Sequence, residues 1–346
     1  ATDTPMWKTE VWGGSFGYDV PHIAVRLKKW KENGKDESAF ASATALSQWL
    51  YGEYQNKSAP SADMKDLVAA VLKGVPDEPR AKAKKLYEWA CEEVQYCAIE
   101  IGYGGWVPHA AQDVHSNRYG DCKDKANYLR ALLDIAGVKS HPTLIDSHSG
   151  LAREFEMPAL GANFNHAILA VELPGETLLV DPTERAVPFG QLPPRDQDST
   201  VLAIAPNGAE PGKSPVSTAE DNANDIQLTA DVKTDGSATG TFVLRAKGAN
   251  ALGLKQSLLL SEDKPSELVK KWLHMAGLKI NSVDKIDAAP FAEAIELKGT
   301  FTLRNVLAVV PGSTTLLRME ELMPSNVPVL PDDPRRTPFV RQWLNK

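Results

Sequence analysis

The chain has 346 residues, 42% hydrophobic and 24% charged, with 45 acidic against 38 basic side chains and a net charge of −7. No apolar run approaches the ~20 residues of a membrane-spanning helix, three cysteines cannot form a disulfide framework, and no basic block offers nucleic acid a footprint. The length allows about two domains whose cores need no metal or disulfide staple.

Residues 1–35 scatter Trp7, Trp12, Phe16, Tyr18 and Trp30 among glycines without a sustained period. They read as an extended N-terminal segment strapped down by aromatic anchors. Asp36 reads as the N-cap of a helix over 36–56, with Phe40, Ala43, Leu50 and Tyr54 on its apolar side. A shorter helix is predicted over 63–73. Pro76 and Pro79 then precede a helix from Arg80 to Tyr96 and just beyond, which carries Cys91 and Cys97. Six positions apart on one helix means about 9 Å of rise and a turn of about 120°. That is too far for a disulfide, so both are expected to be buried thiols.

Gly102, Gly104, Gly105 and Pro108 predict an irregular loop up to Cys122. A helix over 122–136 follows, ended by Gly137 in a left-handed cap. A strand over 139–145, a polar loop over 146–161 and a hairpin over 165–182 complete a core domain spanning 36–205. Pro206, Pro211 and Pro215 mark 206–224 as a linker, its acidic end (Glu220 to Asp225) solvated. Residues 225–346 read as a β-rich C-terminal domain with two helices, 250–260 and 265–275. Its strands lie near 278–287, 293–303 and 313–319, and it opens on a hairpin. There Ile226, Leu228, Ala230 and Val232 face Ala238, Gly240, Phe242 and Leu244 only around a three-residue loop, Thr234-Asp235-Gly236. The start at Ala1 without Met and the untidy tail from Arg335 suggest a piece of a longer protein.

The chemistry concentrates around Cys122. Gly120 and Asp121 look like a turn and an N-cap, which sets Cys122 in the first helical turn. A helix N-terminus is a setting that lowers a thiol pKa. A thiolate nucleophile needs a base and an orienting acid. In the hairpin around Pro174-Gly175 the pairing sum is constant, so 173 faces 176, 171 faces 178 and 168 faces 181. His166 shares a face with Ile168, which makes His166 and Asp181 diagonal neighbours about 7–8 Å apart by backbone spacing. A slip of one residue would put them on opposite faces.

The run Tyr119-Gly120-Asp121-Cys122-Lys123-Asp124, then Asn165-His166, then Asp181-Pro182-Thr183 resembles the bacterial transglutaminase-like superfamily, relatives of the papain-type cysteine proteases. The resemblance is strongest over about 80–205, diffuse over 36–79 and weak across 225–340. It implies an α+β fold, with a nucleophile helix packed on an antiparallel sheet, plus flanking β-rich domains. It also implies Cys122 as nucleophile, His166 as general base and acid, and Asp181 as the orienting carboxylate. The expected reaction is acyl transfer from an amide, peptide or protein, through a thioester that water or a primary amine resolves.

The Cys122 backbone N–H supplies one oxyanion donor, and Trp106, Gln112 and Tyr119 are candidates for the second. The loop 102–108 is expected to form one wall of the cleft. The loop 146–161 forms another, with Phe155, Met157 and Phe164 touching substrate. No cofactor or metal is expected: His109, His115, His141 and His148 lack zinc-type spacing, and the acidic run lacks an EF-hand pattern. Two alternatives stand beside the enzyme. One is a catalytically silent module of the same fold that binds a protein or cell-surface polymer. The other is a metal-dependent hydrolase with Cys122, His166 and Asp181 as ligands. The resemblance favours the periplasm or the cell exterior.

Overall fold

The computed structural model describes residues 27–147, 164–275, 280–304, 307–309 and 315–317. They divide into two units, the first running to Val216 and the second from Ser217, with 186–188 grouped with the second. Trp7, Trp12, Phe16 and Tyr18 lie outside the described residues, as do Phe155 and Met157.

The first unit opens on an exposed antiparallel hairpin, β1 (Lys29–Glu32) and β2 (Lys35–Ser38). Its turn is Asn33-Gly34, with φ of 49° and 80°, the two left-handed residues that a tight hairpin turn favours. Asp36 therefore sits in a strand opposite Lys31 and caps no helix. The cap is Ser42, whose hydroxyl accepts the Ala45 N–H, and α1 is Ala43–Tyr54. It buries Ala43, Leu46, Leu50 and Tyr54, the stripe expected of a half-buried helix.

After α2 (Ala62–Val71), Pro79 starts α3 (Pro79–Glu93), where a missing N–H costs nothing. This helix ends earlier than the sequence suggested, because Val94 turns extended and leads into β3 (Gln95–Tyr96). Cys91 is buried on α3, whereas Cys97 is exposed beyond it. The expectation of two buried thiols thus fails for Cys97: its residue is past the helix, its N–H donating to the Gly120 carbonyl.

The stretch read as an irregular loop contains a 3-10 turn at Gly102–Gly105 and a short helix, α4 (Ala111–Asn117). It returns through β4 (Tyr119–Gly120), parallel to β3, to α5 (Cys122–Ile135). Gly137, at φ 76°, closes α5 as expected.

Helix α5 packs across β5 (Ser140–Ile145) and β6 (His166–Leu173). Those strands belong to an antiparallel sheet with β7 (Glu176–Val180), β8 (Thr200–Ala203) and β9 (Gly212–Lys213), in the order β7-β6-β5-β8-β9. Strand β6 is buried from Ala167 to Val171, as a strand covered on both faces must be. Helices and this sheet together make the unit α+β.

The stretch read as a linker is built into structure at both ends. Gly212–Lys213 pairs with β8 as β9, and the buried Ser214 hydroxyl donates to the Asp196 carbonyl and accepts the Ser199 N–H. Asn222, in the run expected to be solvated, is buried. Its amide donates to Ser217 and Thr218, and its oxygen accepts the Ala249 N–H. Most of the stretch is nevertheless exposed, with Ser214 and Asn222 its buried residues.

The second unit is a sheet of β10 (Asn224–Val232), β11 (Ala238–Lys247), β13 (Ala294–Leu303) and β12 (Ile280–Asp287), in that spatial order. The hairpin register is the one expected: Leu228 faces Phe242, and Val232 faces Ala238. Lys233 N–H donates to the Ser237 carbonyl, leaving a three-residue loop with Gly236 at φ 80°. Helices α6 (Gly248–Leu260) and α7 (Pro265–Met275) supply Ala251, Leu254, Val269 and Leu273 to a core with Phe242, Leu244, Leu297 and Phe301. Each buried Val, Leu or Phe among them stabilises the unit by about 1.5–3 kcal/mol. Two short paired strands follow, β14 (Leu307–Val309) and β15 (Thr315–Leu317).

Candidate active site

The site is assembled from the start of α5 and the near end of the β6–β7 hairpin. Asp121 caps α5: its carboxylate accepts the Asp124 N–H at 3.2 Å, and the Asp124 carboxylate accepts the Asp121 N–H at 3.2 Å. This reciprocal box satisfies two backbone donors that a helix start leaves bare. Gly120 permits it, because a Cβ there would lie 2.6 Å from the Asp124 Cβ. Asp124 also accepts the His109 backbone N–H at 2.8 Å and meets the His109 ring at 3.1 Å, which ties the preceding loop to the helix. Lys123 is buried and pairs with Asp121. Burial pushes the Asp121 carboxyl up, with Lys123 opposing the shift. Cys122 follows the cap directly and is 7% exposed.

The hairpin pairs Leu169 with Val180 and Val171 with Leu178; continued by one step, Ile168 faces Asp181. His166 and Asp181 accordingly meet, with Nε2 to Oδ2 at 3.0 Å. Asp181 is fully buried yet amply solvated by the protein. Its Oδ1 accepts the Thr183 N–H at 2.9 Å and the Thr183 hydroxyl at 2.6 Å, and its Oδ2 accepts Arg195 at 2.8 Å. Burial alone would raise this carboxyl. His166 first, then Arg195 and Thr183, overcome that and hold it well below the usual carboxylate range.

An ionised carboxylate only accepts, so Nε2 of His166 carries the proton toward Asp181. The remaining nitrogen, Nδ1, is then the one left for Cys122, which lines the same cleft as His166. Burial would lower the His166 pKa, but Asp181 and then Cys122 raise it well above its ordinary value. That shift favours an imidazolium at His166 beside the Cys122 sulfur.

Arg195 also pairs with Glu184 and lies 3.7 Å from Asp196. Asp196 is buried, with one oxygen taking the Ser147 hydroxyl and the other without a partner among the described residues. Burial, then the charge of Asp181, pushes its carboxyl up. Ligand-type atoms of His166, Asp181 and Asp196 lie within 4.8 Å of one another, a donor set a divalent metal could use. Arg195 already sits on both carboxylates and supplies the positive charge a metal would bring. Cys122 lies outside this set, unlike in the metal alternative drawn from the sequence.

Cys122 and His166 line a cleft of about 90 Å³, walled by Tyr54, Glu100, Trp106 and Phe164. His166 also borders a larger cavity of about 420 Å³, with Tyr96, Asn165, Glu184 and Arg195. Of the three oxyanion candidates, the structure brings Trp106 to the Cys122 cleft. Gln112 stays on α4, donating to the Ser116 hydroxyl at 3.2 Å. Tyr119 is exposed and borders a different cavity with Cys97 and His109. From the predicted walls, Gly105 and Phe164 are present.

Three of the other histidines each have their own partner: His109 with Asp124, His115 with Tyr128 at 2.9 Å, and His141 with Glu172 at 2.6 Å. His148 lies outside the described residues. Sequence reasoning missed Tyr54, Glu100, Thr183, Arg195 and Asp196. Thr183 was readable, since Asp commonly folds back on the residue two positions later. Arg195 carried no such signal, because only the fold brings it to a residue fourteen positions earlier in the chain.

No family model and no curated protein matches the chain. It is similar to the solved structure of a "putative protease" from Parabacteroides distasonis ATCC 8503, at 13% identity and a TM-score of 0.40, over 87% of this chain and 59% of that one. It is also similar to a "putative cysteine protease" from Cytophaga hutchinsonii, at 16% identity and a TM-score of 0.29, over 38% of this chain and 42% of that one. The chain thus spans less than two thirds of either protein. Both TM-scores are low, and the chemistry of the site rests on the residues described above.

Proposed function

We propose that this chain is a cysteine-dependent acyl-transfer enzyme acting on amide bonds, with Cys122 as nucleophile, His166 as general acid and base, and Asp181 as the carboxylate that orients the imidazole. The observations that carry the reading are that Cys122 and His166 line one cleft and that His166 Nε2 lies 3.0 Å from the buried Asp181 carboxylate. In this mechanism the Cys122 sulfur attacks the carbonyl carbon. The oxyanion is met by the Cys122 backbone N–H, one of the donors that a first helical turn leaves free, and by Trp106 as the candidate second donor. The tetrahedral intermediate collapses, the C–N bond breaks, and His166 delivers its proton to the departing amine. Water or a primary amine then attacks the thioester and restores the thiol. Peptide or protein amides are the substrates the reading favours.

Iodoacetamide labelling tests it. At pH 6 Cys122 should react at least ~10-fold faster than a simple alkyl thiol of pKa about 8.5, and Cys122→Ala should lose both labelling and turnover. A rate no greater than that of the simple thiol defeats the proposal. Unchanged biological activity in Cys122→Ala, with partner binding intact, points instead to the silent binding module.

A further inference from the structure

The wall of the Cys122 cleft contains a carboxylate that the mechanism does not use. Glu100 Oε1 lies 3.9 Å from the Cys122 sulfur, on the loop that also brings Gly105 and Trp106 to the cleft. Among the described residues Glu100 has no ion-pair partner. The other charges lining this cleft are matched: Lys123 by Asp121, and His166 by Asp181. Around the carboxylate the walls are aromatic, with Tyr54, Trp106 and Phe164. Tyr54 is held there by its hydroxyl, which donates to the Trp106 carbonyl at 3.2 Å. A carboxylate among aromatic faces is chemistry that receives a cation. The Cys122 thiol donates to this carboxylate at 3.9 Å, a contact that leaves the negative charge unneutralised until a cation arrives. The space, about 90 Å³, takes an ammonium head on an alkyl stem, since a water molecule fills roughly 30 Å³.

We propose that Glu100 and the aromatic walls of the Cys122 cleft make it selective for an alkylammonium group beside the reacting carbonyl. The inference rests on the acyl-transfer reading and names its substrate class. The cation either belongs to the acyl donor, as a lysine-type side chain, or arrives with the amine that resolves the thioester.

Alkylation of Cys122 by three small reagents isolates the effect: cationic 2-bromoethylammonium, neutral iodoacetamide and anionic iodoacetate, each rate divided by that for 2-mercaptoethanol. Charged His166 acts on all variants alike, so the comparison is between variants. In Glu100→Gln the cation-to-anion rate ratio should fall about tenfold, the size expected of a partly solvated charge at this distance. In Glu100→Lys it should fall further, and in the native protein it should shrink as salt is raised. Glu100 is exposed, so neither change threatens the fold. A ratio that is the same in all three proteins overturns the proposal. The ratio is readable on any thiol, activated or not, so it fails separately from the enzymatic reading, which the neutral reagent alone decides. Preference for N-acetyl-lysyl over N-acetyl-norleucyl 4-nitroanilide assigns the cation to the donor. Preferred thioester capture by 1,5-diaminopentane over 5-aminopentanol assigns it to the acceptor.

Discussion

Asp181 shows how a buried charge is made tolerable and then useful. Its two oxygens meet Thr183, His166 and Arg195, so removing its charge strands two cations. An uncompensated buried charge costs about 3–5 kcal/mol, and Asp181→Asn should lose that much in urea unfolding near pH 6. The pH dependence follows from the two shifts. Asp181 titrates below its unfolded value of about 3.9 when folded, so its contribution is complete above that value and disappears as acid protonates it. His166 titrates above its unfolded value of about 6.5 when folded, so its contribution is complete below that value and disappears as pH rises through the folded pKa. The pair is worth most between about pH 4 and 6.5, and the stability gap between native protein and Asp181→Asn should narrow on both sides. With Cys122 as the proposed nucleophile, its alkylation near pH 6 should slow in the same variant, because the His166 proton is less firmly held without Asp181.

At the scale of the element, the start of α5 fixes the position of Cys122, the proposed nucleophile. Ser, Asp and similar caps typically contribute about 1 kcal/mol, but here the cap also sets the position of the next residue, Cys122. Gly120→Ala would drive a methyl group to 2.6 Å from the Asp124 Cβ, and Asp124 is the other half of the capping box. Such overpacking costs about 1–3 kcal/mol. The variant should therefore melt at lower temperature and label more slowly at Cys122. A variant that melts lower yet labels at the native rate would separate helix stability from placement of the thiol. The cap was legible in the sequence, Gly-Asp before an apolar helical face being a strong local signal. The early end of α3 was not. Val94 leaves the helix because β3 pairs with β4, a strand twenty-four residues onward, and local periodicity contains no trace of that partner. The same limit misplaced Cys97, whereas the Asp36 cap missed a local signal, the Asn33-Gly34 turn that pairs Asp36 with Lys31.

Across the whole molecule, two units hold separate cores. Phe242 is 1% exposed in the second, and Phe242→Ala should cost that unit about 3–5 kcal/mol. Calorimetry should show one transition moved down while the Cys122 labelling rate stays native; a matching loss of labelling would show that the second unit supports the site. The sequence by itself determined the α+β character of the first unit, the cap of α5, the register of both long hairpins and the meeting of His166 with Asp181. All of these depend on neighbours close in the chain: a helix cap on three or four residues, a hairpin on the alternation of side chains about one short turn. Tertiary structure alone decided what surrounds them. Arg195 reaches Asp181 through a loop, Glu100 reaches Cys122 across twenty-two residues, and Tyr54 comes from a helix at the other end of the unit. Contacts of that kind are set by how elements pack, and no periodicity in the intervening sequence encodes them.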